Sequence, residues 1–167
     1  SAASDVYKRQ NIYRRKVRRM TRIYRLTYGP YYEEYVMGYL TEDKLVDYLE
    51  ELYNSEDIAQ YKKDHIDSIE QCRMKYENKR SEAIEKARSY TAILHRGKED
   101  PEYKGAKKQF KTWEKIIIDC NWKLKKIDKI LDEVSSWTAV EWLNSADYHW
   151  EPIEINVIHH PTIKEED

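Results

Sequence analysis

The longest regular pattern of apolar and polar positions in the chain lies between Tyr103 and Val134. Apolar residues recur there at alternating steps of three and four, while Lys, Asp, Glu and Asn fill most of the positions between them. This spacing predicts one long helix with a narrow apolar seam that needs a partner helix. The ten seam positions are Tyr103, Ala106, Phe110, Trp113, Ile117, Cys120, Leu124, Ile127, Leu131 and Val134.

A second long helical pattern precedes this one and carries a thinner apolar stripe. Its members are Ile58, Ile66, Ile69, Cys72, Tyr76, Ala83, Ala87, Tyr90 and Leu94. Arg73 and Arg80 interrupt the stripe, and we expect their aliphatic stems to lie along it while the charged groups reach water. Because the stripe of this helix has fewer large apolar residues than the seam between Tyr103 and Val134, we predict surplus apolar surface on the later helix.

The two long helices are separated by a short loop. His95, Arg96 and Gly97 are typical of a helix end, and Asp100 with Pro101 is typical of a helix start. A loop of so few residues favours antiparallel neighbours. We therefore predict a coiled-coil-like helical hairpin formed by residues 56–96 and 101–134.

Alternating patterns on either side of this hairpin predict a small sheet. Residues 22–28 and 33–40 alternate around a Gly-Pro turn, which indicates a β-hairpin, and Gly38 within the second run indicates a bulge or a close backbone approach. Thr41 is placed to cap a helix over residues 41–53, and Ser55 to cap the next. A last strand is predicted at 150–158, where Pro152 restricts it to an edge or to a later start.

These elements together predict a mostly helical α+β protein. A three-stranded antiparallel sheet with a covering helix forms a base from residues 20–54 and 137–158. A helical hairpin from residues 55–134 projects from that base, and residues 159–167 form an acidic tail.

The first nineteen residues are interpreted separately from this fold. Residues 1–10 read SAASDVYKRQ, which resembles a translated sequencing adapter, so we exclude them from the fold. Met20 is a natural start codon, and we expect the native product to begin there. The alternative is that residues 11–19 (NIYRRKVRR) are a real basic arm.

This alternative changes the electrostatics of the chain. The full sequence has 30 basic and 31 acidic residues, for a net charge of -1. Without residues 1–19 it has 23 basic and 30 acidic residues, for a net charge of -7. An acidic body of this kind does not attract phosphate backbones.

The composition limits the location of the chain. No run of apolar residues is long enough to span a membrane, and no secretory signal pattern is present. Cys72 and Cys120 are expected to be buried free thiols, because two cysteines do not make a disulfide framework. We expect the protein in a bacterial cytoplasm, without a membrane partner.

Two sets of residues are candidates for binding. Large aromatic side chains favour a protein contact. These are Trp113, Trp122, Tyr31, Tyr32 and Tyr35. Basic side chains of the arm and of one side of the third helix are the candidates for nucleic-acid contact, although they also fit a solvated flank paired with Glu77, Glu82 and Glu85. These are Arg14, Arg15, Lys16, Arg18, Arg19, Lys104, Lys108 and Lys111.

We assign no catalytic, cofactor-binding or metal-binding residues. Glu33 and Glu34 are neighbours on a strand and face opposite ways, so they do not converge as a pair of catalytic carboxylates. His149, Glu151, His159 and His160 gather near the last strand, but adjacent histidines point to opposite faces and suit a solvated strand end better than a metal site.

One resemblance concerns the first and last segments of the predicted base, residues 20–54 and 137–158. The opening MTRIYRLTYGPYYEEYVMGYLTEDKLVDYLEEL, joined to the late strand HWEPIEINVI, resembles small proteins of phages and gut bacteria. These place a Tyr-rich hairpin before a helix and close the sheet with a final strand. The resemblance implies a phage or bacterial origin and no catalytic residues.

The sequence therefore predicts a non-enzymatic interaction or accessory protein that presents a helical hairpin to a protein partner or to another copy. A nucleic-acid-binding protein that uses the basic arm and the lysine strip is the alternative. A metal-dependent enzyme is a third hypothesis, and it has no motif in its favour.

Overall fold

The computed structural model describes residues 22–153, which form three strands and four helices. The strands are β1 (Ile23–Tyr28), β2 (Tyr35–Thr41) and β3 (Tyr148–Ile153). The helices are α1 (Glu42–Tyr53), α2 (Glu56–His95), α3 (Tyr103–Ser135) and α4 (Ala139–Ser145).

The predicted fold class is confirmed, because the described chain is mostly helical and contains a three-stranded antiparallel sheet. Several boundaries differ. The second strand is Tyr35–Thr41 instead of residues 33–40, and the second helix of the hairpin is Tyr103–Ser135 instead of residues 101–134. The last strand begins at Tyr148, two residues before the expected start, and residues 154–158 of the expected strand lie outside the described range. The leader, the basic arm and the acidic tail lie outside that range too.

The chain divides into two compact units. Residues up to 59 and from 139 onward belong to the first unit, and residues 60–138 belong to the second. The first unit contains the sheet with α1 and α4, and the second contains most of the two long helices.

The sheet has the order β2-β1-β3, with both neighbours antiparallel to the central β1. Leu26 pairs with Gly38 while Thr27 pairs with Val36, so Met37 is an extra residue in β2. The bulge expected at Gly38 is therefore present beside it. The strand containing Pro152 is at an edge, as expected.

One hydrogen bond fixes the direction of the backbone groups across this sheet. The N–H of Gly29, just after β1, donates to the carbonyl of Asp147, just before β3, at 3.0 Å. Because backbone groups alternate along a strand, odd-numbered residues of β1 are turned toward β3 and even-numbered ones toward β2. Pro152 pairs opposite Tyr24, so its ring nitrogen faces away from β1 and no ladder bond is lost.

The core of the first unit is built from side chains of every element around the sheet. Its most buried members are Leu26 of β1, Leu45 of α1, Ile58 at the start of α2, and Trp142 and Leu143 of α4. The helices α1 and α4 contact each other, and both contact the sheet. These helices cover the face of the sheet that carries Leu26, while Thr27, on the opposite face, is also buried.

The caps of α1 and α2 differ from one another. Thr41 occupies the expected position before α1 with φ -67° and ψ 159°, but its side chain makes no capping hydrogen bond. Ser55 caps α2 as expected, since its hydroxyl oxygen accepts a hydrogen bond from the N–H of Ile58 at 3.3 Å.

The seam expected on the third helix is present in α3. All ten positions are buried or half-buried, and the rest of the helix is exposed apart from Ile116 and Lys123. The most buried members are Ala106, Cys120, Leu124, Ile127 and Val134. The periodicity of three and four thus identified the buried line of the helix correctly.

The expectation for Cys72 is wrong. Cys72 is exposed, and its neighbour Arg73 occupies the half-buried line of α2, where its long aliphatic stem can cover apolar surface. Cys120 is fully buried as expected, and both thiols are free.

Polar contacts between α2 and α3 establish their antiparallel pairing. Arg73 Nε lies 3.0 Å from Asp128 Oδ1, and Arg80 Nη1 donates to Asn121 Oδ1 at 3.1 Å. The ammonium group of Lys123 lies 5.1 Å from the ring centroid of Tyr76. Residue numbers rise along α2 as their partners' numbers fall along α3, as predicted for the hairpin.

The loop between the long helices is held by Asp100. Its Oδ1 accepts a hydrogen bond from the N–H of Glu102 at 2.8 Å, and its Oδ2 lies 3.7 Å from Arg96 Nη1. The helix α3 begins at Tyr103. Pro101, which we expected at the start of this helix, therefore lies in the turn before it.

We predict that Gly29→Ala lowers the free energy of unfolding by about 2 kcal/mol or more. Gly29 has φ +118°, a conformation that side chains rarely adopt, and a Cβ there would lie 2.8 Å from the carbonyl oxygen of Glu33. Gly38→Ala is the matched control, because a Cβ at Gly38 meets nothing within 4 Å. Urea unfolding monitored by circular dichroism measures both, and equal losses would contradict the assigned turn.

We also predict unequal effects for two tryptophans of α3. Trp113 is a half-buried seam residue, so Trp113→Ala is expected to lower the free energy of unfolding by about 2 kcal/mol or more. Trp122 is 55% exposed, so Trp122→Ala is expected to cost less than about 1 kcal/mol. If Trp122→Ala were the more destabilising change in the same urea titration, the seam would be wrongly placed.

Candidate protein-contact surface

A continuous run of large apolar side chains is exposed in the turn after β1 and along β2. Tyr31 is 95% exposed and Tyr32 is 83% exposed. We call the whole set the tyrosine patch. Its members are Tyr31, Tyr32, Tyr35, Val36, Met37 and Tyr39. Tyr35 pairs with Tyr28 on the face of the sheet that carries Leu26, whereas Val36 and Tyr39 pair with Thr27 and Arg25 on the other face, so the patch lies on both sides of the β2 edge. Exposed apolar groups scattered singly are ordinary, but a group gathered along one edge is characteristic of a binding surface.

The turn that presents this patch is rigidly built. Gly29 adopts its positive φ, and the N–H of Glu33 donates to the carbonyl of Pro30 at 2.7 Å. The hydroxyl of Thr27 donates to the carboxylate of Glu34. Glu33 and Glu34 both precede β2 instead of lying on the strand as expected, and Glu34 accepts this hydrogen bond.

Three tyrosine rings anchor one end of the patch to the sheet. The ring of Tyr28 lies 5.6 Å from that of Tyr35 in an edge-on arrangement and 4.6 Å from that of Tyr148. Such pairs add about 0.5–1.5 kcal/mol beyond the area they bury. Tyr35 is therefore held in place although its outer side is exposed.

Partial burial raises the pKa of the Tyr148 phenol above its usual value, and the nearby Tyr28, Tyr48 and Asp57 raise it further. Tyr48 belongs to α1 and Asp57 to the first turn of α2, so the covered face of the sheet meets both helices at Tyr148. The phenol is consequently neutral at physiological pH.

Acidic side chains precede and follow β2 along the chain, and we call them the acidic margin of the tyrosine patch. They lie in the turn before β2 and on α1 after it, all of them exposed, and Lys44 is the only basic residue among them. They are Glu33, Glu34, Glu42, Asp43, Asp47, Glu50 and Glu51. The strand between them, Tyr35–Thr41, has no charged residue. The uncharged strand therefore lies between two acidic stretches of the chain.

The two tryptophans expected at a contact surface have different surroundings. Trp113 lies half-buried in the seam of α3. Trp122 is exposed together with Ile118 one turn before it, and the ammonium group of Lys126 lies 3.6 Å from its ring centroid. The three tyrosines Tyr31, Tyr32 and Tyr35 lie together, whereas the tryptophans belong to the second unit.

The lysines expected to contact nucleic acid are exposed on α3. Within residues 22–153, none of Lys104, Lys108 and Lys111 forms an ion pair with Glu77, Glu82 or Glu85, and Glu77 lies 3.7 Å from Arg73 instead. The arginines and the lysine of the basic arm (Arg14, Arg15, Lys16, Arg18 and Arg19) lie outside the described residues.

Two of the four residues considered for a metal site, His149 and Glu151, lie in the described part of the chain. Between residues 22 and 153, no three or more His, Cys, Asp or Glu side chains are placed to hold a metal ion. His149 and Glu151 are exposed residues of β3, and Glu151 pairs with Arg25 on β1. His159 and His160 lie outside the described range.

Sequence reasoning missed part of this surface. The sequence pattern predicts Val36, Met37 and Tyr39 only as strand residues, because nothing in their alternation distinguishes a covered face from an exposed one. The signal that was available is the absence of charge from the whole stretch YVMGYLT, which is unusual for a strand that ends at a sheet edge.

No helix of the described chain combines the length and the apolar character needed to cross a membrane. Comparison of the chain with protein-family models, with curated proteins and with solved structures gives no match.

We predict that the protein loses stability at high pH through Tyr148. A raised pKa means that the folded state holds the phenolic proton more tightly than the unfolded state, whose pKa is near 10.0. The contribution is fully present below pH 10 and is lost as the pH rises through the folded pKa. Tyr148→Phe should therefore flatten the decline of the melting temperature above pH 10, whereas an identical decline in both proteins would contradict the assignment.

Proposed function

We propose that this chain is a non-enzymatic protein-interaction module that binds a protein partner through the tyrosine patch. The observation that carries the proposal is the exposure of six large apolar side chains in one stretch, from Tyr31 to Tyr39, on a turn and a strand that are fixed by the sheet. Tyrosines combine large contact area with few rotatable bonds, and for this reason they are enriched at the energetic centres of interfaces.

The chemistry of the patch favours binding over catalysis. It offers aromatic rings and aliphatic chains, and the nearest phenol with an altered pKa, that of Tyr148, is altered toward its neutral form. Its acidic margin supplies orientation rather than affinity, because exposed charges mainly steer association. The resemblance to small phage and gut-bacterial proteins supports a role in a bacterial cytoplasm, where the free thiols of Cys72 and Cys120 would stay reduced.

Nucleic-acid binding is the second candidate, and one observation favours it. Between Lys104 and Lys115 the exposed surface of α3 has five lysines and only one acid, Glu114. A strip of this kind can follow a phosphate backbone. The net charge of -7 that the chain has without residues 1–19 makes this the weaker candidate, because a negative chain does not attract a phosphate backbone.

The test compares two matched surface variants in a pull-down. The immobilised protein is exposed to a lysate of the cells that naturally make it, and the retained proteins are quantified. The double variant Tyr31→Ser with Tyr32→Ser is expected to lose at least tenfold of the specifically retained partner, because interface aromatics dominate binding energy. The control variant, Ile118→Ser with Trp122→Ser, removes two exposed apolar side chains from α3 and is expected to retain it.

Two results would contradict the proposal. One is a partner lost with the α3 variant but kept by the tyrosine variant. The other is tight, salt-sensitive retention of the unaltered protein on duplex DNA that disappears when Lys104, Lys108 and Lys111 are changed to Gln, which would favour the second candidate.

A further inference from the structure

The outer edge of β2 presents unused backbone hydrogen-bonding groups beside the tyrosine patch. Even-numbered residues of β1 are turned toward β2, so Leu40 and Gly38, which pair with Tyr24 and Leu26, are turned toward β1. Tyr39 and Thr41 consequently direct their N–H and C=O groups away from the sheet. Within residues 22–153, no strand lies on that side of β2.

The two edges of this sheet differ in a way that decides which of them accepts another strand. At β3 the outward positions include Pro152, which has no N–H to donate, and the strand also has the charged Glu151. These are devices by which sheets prevent further pairing. From Tyr35 to Thr41, β2 has neither proline nor charge, and its bulge at Met37 leaves Gly38 to Thr41 in regular register.

We propose that the edge of β2 binds an extended segment of a partner protein as a fourth strand, with an apolar or β-branched centre and basic residues at both ends. This inference rests on the proposed function, since it names the kind of partner that the tyrosine patch takes. Main-chain hydrogen bonds would supply affinity, and the side chains of the patch would select the centre of the segment.

Charge complementarity specifies the ends of the segment. Glu33 and Glu34 precede the strand, and Glu42 and Asp43 follow it, so each end of the uncharged edge has a pair of acidic residues, of which Glu34 already accepts a hydrogen bond from Thr27. A bound segment of similar length would place its own ends beside these pairs. Lys or Arg at those positions gives opposite-charge neighbours, which stabilise cross-strand pairing, whereas Asp or Glu would destabilise it.

The same charges disfavour a second copy of this chain as the occupant. Antiparallel pairing of two β2 strands would bring Glu33 and Glu34 of one copy beside Glu42 and Asp43 of the other. Parallel pairing would bring each acidic pair beside its own equivalent. Both arrangements place like charges opposite one another, which weakens association and discriminates against the wrong partner.

The probe is a synthetic peptide with a Thr-Val-Thr-Val-Thr centre and a Lys-Arg pair at each end, labelled for fluorescence anisotropy. Two control peptides keep its length: one has Glu in place of the four basic residues, and the other has Pro in place of the central Thr. We expect saturable binding of the basic peptide, and at least tenfold weaker binding of both controls, because one lacks the complementary charge and the other cannot pair as a strand.

A matched pair of variants tests the backbone of β2 directly. Thr41 has φ -67°, which suits proline, and makes no side-chain capping bond, so Thr41→Pro removes an outward N–H without distorting the strand. Thr41→Val keeps that N–H and is the control. We expect about tenfold weaker peptide binding by Thr41→Pro and unchanged binding by Thr41→Val, with equal melting temperatures for the two folded proteins.

Amide hydrogen exchange distinguishes strand pairing from loose charge attraction. On addition of the basic peptide, exchange of the Tyr39 and Thr41 amides should slow at least tenfold, while that of Leu40, already directed toward Tyr24, should change little. Changing Glu33, Glu42 and Asp43 to Gln, Gln and Asn should remove the salt dependence of peptide binding and leave the exchange pattern of the bound state intact.

Several results would overturn this inference. The first two are peptide binding that Thr41→Pro leaves unchanged, and amide exchange that slows at Gly38 and Leu40 as much as at Tyr39 and Thr41. The third is a concentration-dependent dimer that Thr41→Pro dissociates. The fourth is protection of the Tyr39 amide in the free chain that is lost on removal of residues 1–21. If the peptide fails but the tyrosine variant still loses a natural partner, the proposed function stands and the strand-addition inference fails. If neither effect is seen, both fail.

Discussion

The pairing of β1 with β3 is the contact on which the first unit depends. Arg25 and Glu151 are joined across it although 126 positions separate them in sequence, and closing a loop of that size costs conformational entropy before any contact compensates. The pairing places β1 in the centre of the sheet and brings α4 onto the same core as α1. It also directs the backbone groups of every strand, so the character of both edges follows from it.

Local patterns determined more of this structure than long-range ones. The seam of α3, the turn at Gly29, the bulge beside Gly38 and the cap at Ser55 could all be predicted, because each depends on residues within a few positions of one another. Strand order could not be predicted, since no local signal says that β1 lies between the other two. The exposure of Tyr31 and Tyr32 was expected from their turn, whereas that of Val36 and Tyr39 depends on which face α1 covers.

The thin stripe of α2 shows where periodicity loses precision. With Ala83 and Ala87 as its most buried side chains, this helix has little apolar volume to define its inward line, and a shift of one residue exchanged Cys72 for Arg73. The ion pair of Arg73 with Asp128 is partly exposed and adds little stability by itself. Such pairs can still distinguish one register from another, because every slipped register would separate the opposite charges.

The bare nitrogen of Pro152 has a consequence for valency. A sheet with two receptive edges can add subunits on both sides, and repeated addition leads to filaments or to cross-linked networks. On the outer side of β3, Pro152 has no N–H to donate, so a further strand added there would lack one bond of its hydrogen-bond ladder. If the edge of β2 binds a partner strand as proposed, we expect one partner segment per sheet, so that the chain would end strand addition instead of propagating it.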